Sequence, residues 1–375
     1  MMEGRVMMNH FFSTFVRSRL FAILFAILSF GLVGYMSMRL GKIVEIVFSL
    51  RIYVFLFISL CIYMIYMLIY EKSQKIYKKT HRLYAVCSVI LCFLIYMILG
   101  FLVVDIMSMV ISIDVYSYIF AIVISVLVTI YGIIKAKHIC VKMENVCIGD
   151  TKSIQVAFLS DIHIGHFMKS YQLDKIIKKV KYLTVDYVFI VGDTFNDDAF
   201  EYMNLKVIAQ QFKELSNHKK VYAVLGNHDP CSKHSRVYEF FEKANIELLV
   251  DDVRELDDFY IIGRDDITTN PYRKSLDELL KHVNTDKPVI LLDHNPLGIH
   301  EAVDHQVNLL LCGHTHKGQF FPATIMTHLA YGKDGFYGYH QQQKTHIIVS
   351  SGAGYFQMPI RIGSQSEIVS LQIMI

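Results

Sequence analysis

The sequence predicts an α/β layered domain preceded by an all-α membrane region, and three observations lead to it. Hydropathy divides the 375 residues sharply near Ile134, with strongly apolar sequence before it and an ordinary globular mix after. Beyond that point, apolar runs of strand length alternate with stripes of helical period, the pattern of stacked sheet and helix layers. Several of those runs end in a short polar motif carrying Asp, Asn or His.

Four runs in the first part approach the roughly 20 residues that a helix needs to cross a bilayer. They are Leu20–Met38, Ile52–Tyr70, Leu83–Val104 and Tyr116–Ile134. Buried core helices are the bland alternative, but four such runs in succession are not the pattern of a soluble core. A cleaved signal peptide does not fit the first run, because no small-x-small site follows it and three more spans come after. Lys72, Lys75, Lys78, Lys79 and Arg82 separate runs two and three, no Lys or Arg separates three and four, and Lys135, Lys137 and Lys142 follow the last. The positive-inside rule then puts both termini in the cytoplasm, with Arg39, Lys42 and Arg51 arguing the other way. The expectation is a multi-pass protein of the cell membrane whose downstream domain is cytoplasmic. Seven scattered cysteines, without a CxxC pair or a disulfide spacing, fit a reducing compartment. The net charge of +3 belongs largely to membrane-flanking loops, so no nucleic-acid footprint is present.

The expected division is a membrane region at residues 1–138, a linker with a first strand at 139–153, and a domain at 154–375. Val141–Ile148 has the make-up of that first strand, and Ile154–Leu159 that of a buried one. Leu173, Ile176, Ile177 and Val180 mark one face of a helix, followed by a strand at Tyr187–Val191. Leu205, Ile208, Phe212 and Leu215 stripe the next helix, before a strand at Val221–Leu225. A strand at Phe259–Ile262 precedes a helix with Leu276, Leu279, Leu280 and Val283. Val289–Leu292 and Leu309–Cys312 complete the central set, and Ile347–Val349 and Ile368–Ile373 close it.

The polar motifs fall just past the ends of these strands: Asp161-Ile-His163, Gly192-Asp193, Gly226-Asn-His-Asp229, Asp293-His294 and Gly313-His-Thr-His316. In open α/β sheets that edge is where ligands bind, so five loops should converge on one cleft. Alone, each motif is compatible with a turn or a helix cap. Of their side chains, two carboxylates, one amide and four imidazoles are enough for two metal ions side by side. Imidazole with carboxylate suits Mn, Fe or Zn better than Mg or Ca, so two divalent transition-metal ions are the expected cofactors.

The order of these motifs resembles that of the calcineurin-like metallophosphoesterases. The fuller wording, Leu159-Ser-Asp-Ile-His-Ile-Gly165, Val224-Leu-Gly-Asn-His-Asp229 and Gly313-His-Thr-His-Lys-Gly-Gln319, is similar to that of their membrane-associated phosphodiesterase branch. Ser350-Ser-Gly-Ala-Gly354 and Pro359-Ile-Arg-Ile362 resemble its end piece, so the likeness runs from about Ile154 to the C-terminus. The resemblance implies a four-layer α/β/β/α sandwich. It implies a first metal on Asp161, His163 and His316, a second on Asn227, His294 and His314, and Asp193 bridging the two. It implies His228 as the acid that protonates the leaving group, with Asp229 orienting it, and Asn196 and Asp197 as supporting residues. One departure stands at Lys317, where the branch usually has Gly; it places in doubt a left-handed backbone there.

The function implied is hydrolysis of a phosphate ester, lipid-linked or nucleotide-type, by attack of a metal-bridging hydroxide, with the bilayer as second partner. Protein Ser/Thr or other phosphomonoester hydrolysis stays open, as does a catalytically silent receptor or scaffold, although all seven ligand positions are filled. A transporter is disfavoured because the four runs carry no ionisable residue away from their edges.

Overall fold

The computed structural model describes residues 19–45, 77–165, 167–196, 199–216, 219–230, 235–281, 283–284 and 286–375. The chain divides into two compact units, with the division between Thr129 and Ile130.

The first unit is helical. Helix α1 is Arg19–Glu45, α2 is Tyr77–Ser108, and α3, Tyr116–Lys137, runs across the division. Among the described residues two stretches, Ser88–Ser108 and Tyr116–Lys137, are long and apolar enough to cross a membrane, where the hydropathy pattern led us to expect four. The expected run Ile52–Tyr70 lies outside the described residues, and Leu20–Met38 falls within α1. The observed helices also run past the ends expected of them. Arg39 and Asp105, which hydropathy places in loops, lie inside α1 and α2 and form an ion pair at 2.9 Å. Mutual neutralisation lets a helix continue through a charge that a hydropathy window treats as its end. Val33, Met36, Leu94, Met97, Phe101, Val104 and Ala121 pack as the core of this unit.

The second unit is built on two six-stranded sheets. The first has the order β1 (Ile139–Cys147), β12 (Ser366–Met374), β2 (Ser153–Leu159), β3 (Tyr187–Val191), β4 (Lys220–Val224) and β5 (Glu247–Leu248). The second has the order β10 (Gly338–Gln342), β11 (Thr345–Val349), β9 (Leu309–Cys312), β8 (Val289–Leu292), β7 (Tyr260–Gly263) and β6 (Asp252–Glu255). Strands β2 to β5 are mutually parallel, as are β7, β8, β9 and β11.

Strand alternation explains the layering. In β2, Ile154, Val156 and Phe158 pack with Ile261, Ile290, Leu292, Leu309 and Leu311 of the other sheet, forming the core between the sheets. Ala157 and Leu159 point the other way, against α4 (Ser170–Tyr182), α5 (Leu205–Ser216) and α6 (Ser235–Lys243). Leu291, Leu310 and Val349 likewise meet α7 (Leu276–Leu280) and α8 (Ile299–Asp304) on the outer face of the second sheet. Two sheets face to face with helices outside are the expected sandwich. The central parallel strands are apolar throughout because both of their faces are buried.

Candidate metal centre

The loops after β2, β3, β4, β8 and β9 converge at one edge of the sandwich. They bring together Asp161, His163 and His316 in one group and Asp193, His294 and His314 in a second, with donor atoms of each group within 4.8 Å of one another. Asp193 faces both: its Oδ2 lies 3.5 Å from His163 Nε2 and 3.2 Å from His294 Nε2. His316 Nε2 is 2.9 Å from His163 Nε2 and 3.4 Å from Asp161 Oδ1. Asn227 Oδ1 is 2.7 Å from His314 Nδ1. An ion bound at ~2.1 Å with ~90–110° between ligands sets its donors ~3.0–3.4 Å apart, so most of these separations are those of ligands awaiting a common centre.

The far nitrogen of each imidazole has a neighbour of its own. His163 Nδ1 sits 2.9 Å from Asn196 Oδ1, His294 Nδ1 2.9 Å from the Val191 carbonyl, and His314 Nε2 2.8 Å from the Tyr331 hydroxyl. The fully buried Arg361 donates to the Gly354 carbonyl and lies 3.3 Å from His316 Nδ1. Such partners fix the ring so that the other nitrogen faces the ion. His294 Nε2 is buried and has no hydrogen-bond partner, a costly arrangement for a polar atom without a ligand. The residues therefore fit a pair of transition-metal ions.

Local backbone geometry aims these side chains. Asp161, His163, Asp193, His314 and His316 all have φ between 50° and 71°, the left-handed region that non-glycine residues seldom occupy. Such strain concentrates at functional sites, where the surroundings enforce it. Lys317 joins them at φ 53°, so the left-handed turn survives without glycine. Its ammonium lies 4.5 Å from the centre of the Tyr337 ring, whose hydroxyl donates to Glu367 at 2.8 Å. Glycine is required one residue before Asp193, because a Cβ on Gly192 would stand 2.4 Å from the His294 ring.

Burial sets the protonation of the metal-free site. It lowers His163 and His314 to about 4 and, together with the neighbouring His163, holds His316 well below the usual imidazole range. Those rings are neutral, the form that binds metal. Burial raises Asp161 to about 6 and Asp229 to about 7. Burial opposes charge on Asp193 and His294 as well, but their mutual attraction prevails, holding the carboxylate well below and the imidazole well above their usual ranges.

The remaining expected residues border the two groups. His228 donates its backbone N–H to Asp193 Oδ1 at 2.8 Å, and its ring centre lies 4.5 Å from that of Phe356. Asp229 accepts backbone N–H groups of Phe195 and Gly226, at 2.8 and 2.9 Å, and so braces the turn that carries His228. Asn196 is in place beside His163, while Asp197 lies outside the described residues. Asp293 is taken by a bidentate, buried pairing with Arg273 at 2.9 and 2.8 Å. Gln319 clamps the loop after Gly354: its amide donates to the carbonyls of Phe356 and Met358 and accepts from the Phe356 N–H. Sequence reasoning missed Tyr331, Phe356 and Arg273. Of these, only Phe356 adjoins a motif that it singled out, Ser350-Ser-Gly-Ala-Gly354.

The class of protein so defined is a two-sheet α/β sandwich with paired, candidate metal-binding Asp/His groups at its strand ends. Residues 154–318 match the family model described as calcineurin-like phosphoesterase. The chain is 33% identical over 226 residues to an uncharacterized metallophosphoesterase of Aquifex aeolicus, covering 59% of this chain and 85% of that one. It is 31% identical over 228 residues to an uncharacterized metallophosphoesterase of Helicobacter pylori, covering 60% of each. It is 31% identical over 238 residues to a bovine transmembrane protein with metallophosphoesterase domain, covering 58% of this chain and 52% of that protein. Against these last two, the chain spans between about half and three fifths of the relative's length. The chain belongs to the calcineurin-like metallophosphoesterase family, and carries two groups of Asp and His residues that could hold metal ions.

Proposed function

We propose that this protein is a membrane-anchored phosphodiesterase with a dinuclear metal centre. The observation that carries the reading is Asp193, whose Oδ2 faces an imidazole of each group, 3.5 Å from His163 Nε2 and 3.2 Å from His294 Nε2. Asp161, His163 and His316 would hold one divalent transition-metal ion and Asn227, His294 and His314 the other, with Asp193 shared. When bound, such a pair supplies Lewis-acid charge and brings the pKa of a water near neutrality.

The chain's own residues do the rest. The Asp193–His228 backbone bond ties the proposed acid to the shared ligand. Phe356 lies against the His228 ring, 4.5 Å between ring centres, and His228 protonates the leaving oxygen. Asp229 positions His228 by holding its turn. Anchoring is supported by the two apolar helices and by the transmembrane relatives, and a cytoplasmic active site by the Lys/Arg distribution of the flanking loops.

The test is a parallel assay of bis(p-nitrophenyl) phosphate and p-nitrophenyl phosphate on the metal-loaded full chain. A kcat/KM at least tenfold higher for the diester is expected. A preference for the monoester would replace the diesterase reading with a phosphomonoesterase one.

A further inference from the structure

We propose that helix α9, Ala323–Phe336, is an interfacial helix whose outer face lies in the headgroup boundary of a lipid bilayer and presents the metal cleft to phosphoesters held there. The docking surface stands on geometry alone, whereas the delivery of a lipid-borne ester rests on the phosphodiesterase reading above.

The helix is turned inside out for a soluble domain. Ile325, Met326 and Leu329 are 50%, 64% and 72% exposed, and Phe321, just before the helix, is 44% exposed. At ~100° per residue Ile325, Met326 and Leu329 fall on one face, and Phe321 lies in the segment leading into it. A surface helix of a globular protein turns such a stripe toward its core. Tyr331, which meets His314 of the metal site, lies on roughly the opposite side. The same helix thus has one side on the cleft and an uncovered apolar side away from it.

The position of its root says what covers that side. The Phe321 N–H donates to the Ile362 carbonyl at 2.9 Å, and the Arg361 N–H donates to the Gly132 carbonyl at 3.0 Å. The approach to Gly132 is close enough that a Cβ there would stand 2.6 Å from Ile360 Cγ2. Gly132 belongs to the last turns of α3, five residues and so ~8 Å before its end at Lys137. Around it α3 still presents Ile130, Tyr131 and Ile134, exposed by 49%, 55% and 63%, before Lys135 and Lys137. An apolar helix that ends in tyrosine and lysine marks the level where the hydrocarbon gives way to headgroups. The root of α9 is fastened at that level, within the ~5–10 Å depth that interfacial helices occupy. Lys333, exposed just past the break in α9 at Gly332 (φ 69°), supplies a cation for anionic headgroups, as Lys135 and Lys137 do on α3. Within this unit, the apolar face of α9 and the exposed Ile130, Tyr131 and Ile134 are thus two uncovered apolar surfaces fastened near one level.

The chain has no tryptophan, so Leu329→Trp in the full-length protein gives a single fluorophore on this face. Tyr182→Trp, at a position 88% exposed on α4, is the water-exposed control. Both are reconstituted in phosphatidylcholine–phosphatidylglycerol vesicles with and without lipids brominated near the headgroup end of the acyl chain. We expect the Leu329→Trp emission to lie to the blue of the control and to be quenched several-fold more strongly by the brominated lipids. Emission and quenching equal to the control would overturn the docking surface. So would a blue-shifted emission without lipid quenching, since another protein segment or a second copy would then cover the face. For delivery, the pair Ile325→Glu and Leu329→Glu should reduce hydrolysis of a vesicle-embedded phosphodiester at least tenfold while changing that of bis(p-nitrophenyl) phosphate less than twofold. Equal rates on the vesicle substrate before and after the change would overturn it. A parent protein inactive on both diesters would sink the phosphodiesterase reading and delivery with it, while the quenching comparison would still decide the docking surface.

Discussion

The two units each bury a cluster of charged and polar side chains, and they treat it in opposite ways. In the helical unit, Asp105 takes donors on both oxygens: Arg39 at 2.9 Å and Tyr35 at 2.5 Å on one, Tyr118 at 2.5 Å on the other. Arg39 Nε apart, the cluster pairs its own donors and acceptors and ties α1, α2 and α3 together. In the second unit like groups face one another. His163 Nε2 and His316 Nε2 lie 2.9 Å apart, and Asp193 Oδ2 faces two imidazoles, that of His294 at 3.2 Å. A closed polar cluster holds protein to protein, while an open one of the same residue types is shaped for something the protein does not contain.

Substitutions in the two clusters should separate these roles, and the largest effect is expected in the open one. His294→Ala removes a proposed ligand and the imidazole that faces Asp193 at 3.2 Å. We expect kcat/KM to fall by about 10³, some 4 kcal/mol in the transition state, with melting of the metal-free protein lowered because the buried Asp193 carboxylate loses its partner. A variant that kept activity would erase the distinction between the clusters. His228→Asn should lower kcat by about 10²–10⁴ while metal content stays at the parental value, as measured by elemental analysis beside steady-state kinetics. Equal losses of both would make His228 a metal-supporting residue instead.

Tyr331→Phe tests how much the open cluster relies on the neighbours that pin its rings. Losing the hydroxyl beside His314 Nε2 should weaken metal affinity by about 10–100-fold, read by titration of metal-stripped protein. Asp105→Asn is the converse change in the closed cluster. It should destabilise the helical unit by about 1–2 kcal/mol in detergent unfolding and leave turnover of the metal-loaded enzyme untouched. The smallest effect belongs to an exposed pair outside both clusters. His305 places its two nitrogens 2.8 Å from the Glu301 carbonyl and 2.9 Å from Asp277. Partial burial opposes its charge, but those two acceptors raise its pKa above the usual imidazole value. Its stabilisation is therefore full below pH ~6.5 and disappears as pH rises through the raised folded value. His305→Gln should cost a few tenths of a kcal/mol at pH 5.5 and nothing at pH 9, in denaturant titrations at both pH values.

Legibility in the sequence followed the same contrast. The strands that carry the site, Tyr187–Val191, Val289–Leu292 and Leu309–Cys312, were legible to the residue, because parallel strands buried on both faces are unbroken apolar runs. Two edge strands were not: Glu247–Leu248 is two residues long and Asp252–Glu255 is mostly charged, so neither shows a period. Ligand residues were legible as motifs because each follows its strand directly. Their supports were not, since Arg273 lies 20 residues before Asp293 and Tyr331 lies 17 after His314, on helix α9, which no motif announces. The left-handed backbone at Asp161, His163 and Asp193 was hidden too, because nothing in those residue types requires it. In the helical unit, the ends of the helices were not legible where Arg39 and Asp105 pair inside them.

Elemental analysis of the purified full-length chain after loading with Mn, Fe or Zn tests the central claim most directly. Two transition-metal ions per chain are expected, falling below two in His294→Ala while the Asp105→Asn protein still holds both. Parental protein that retains no stoichiometric metal under any loading condition would contradict the account.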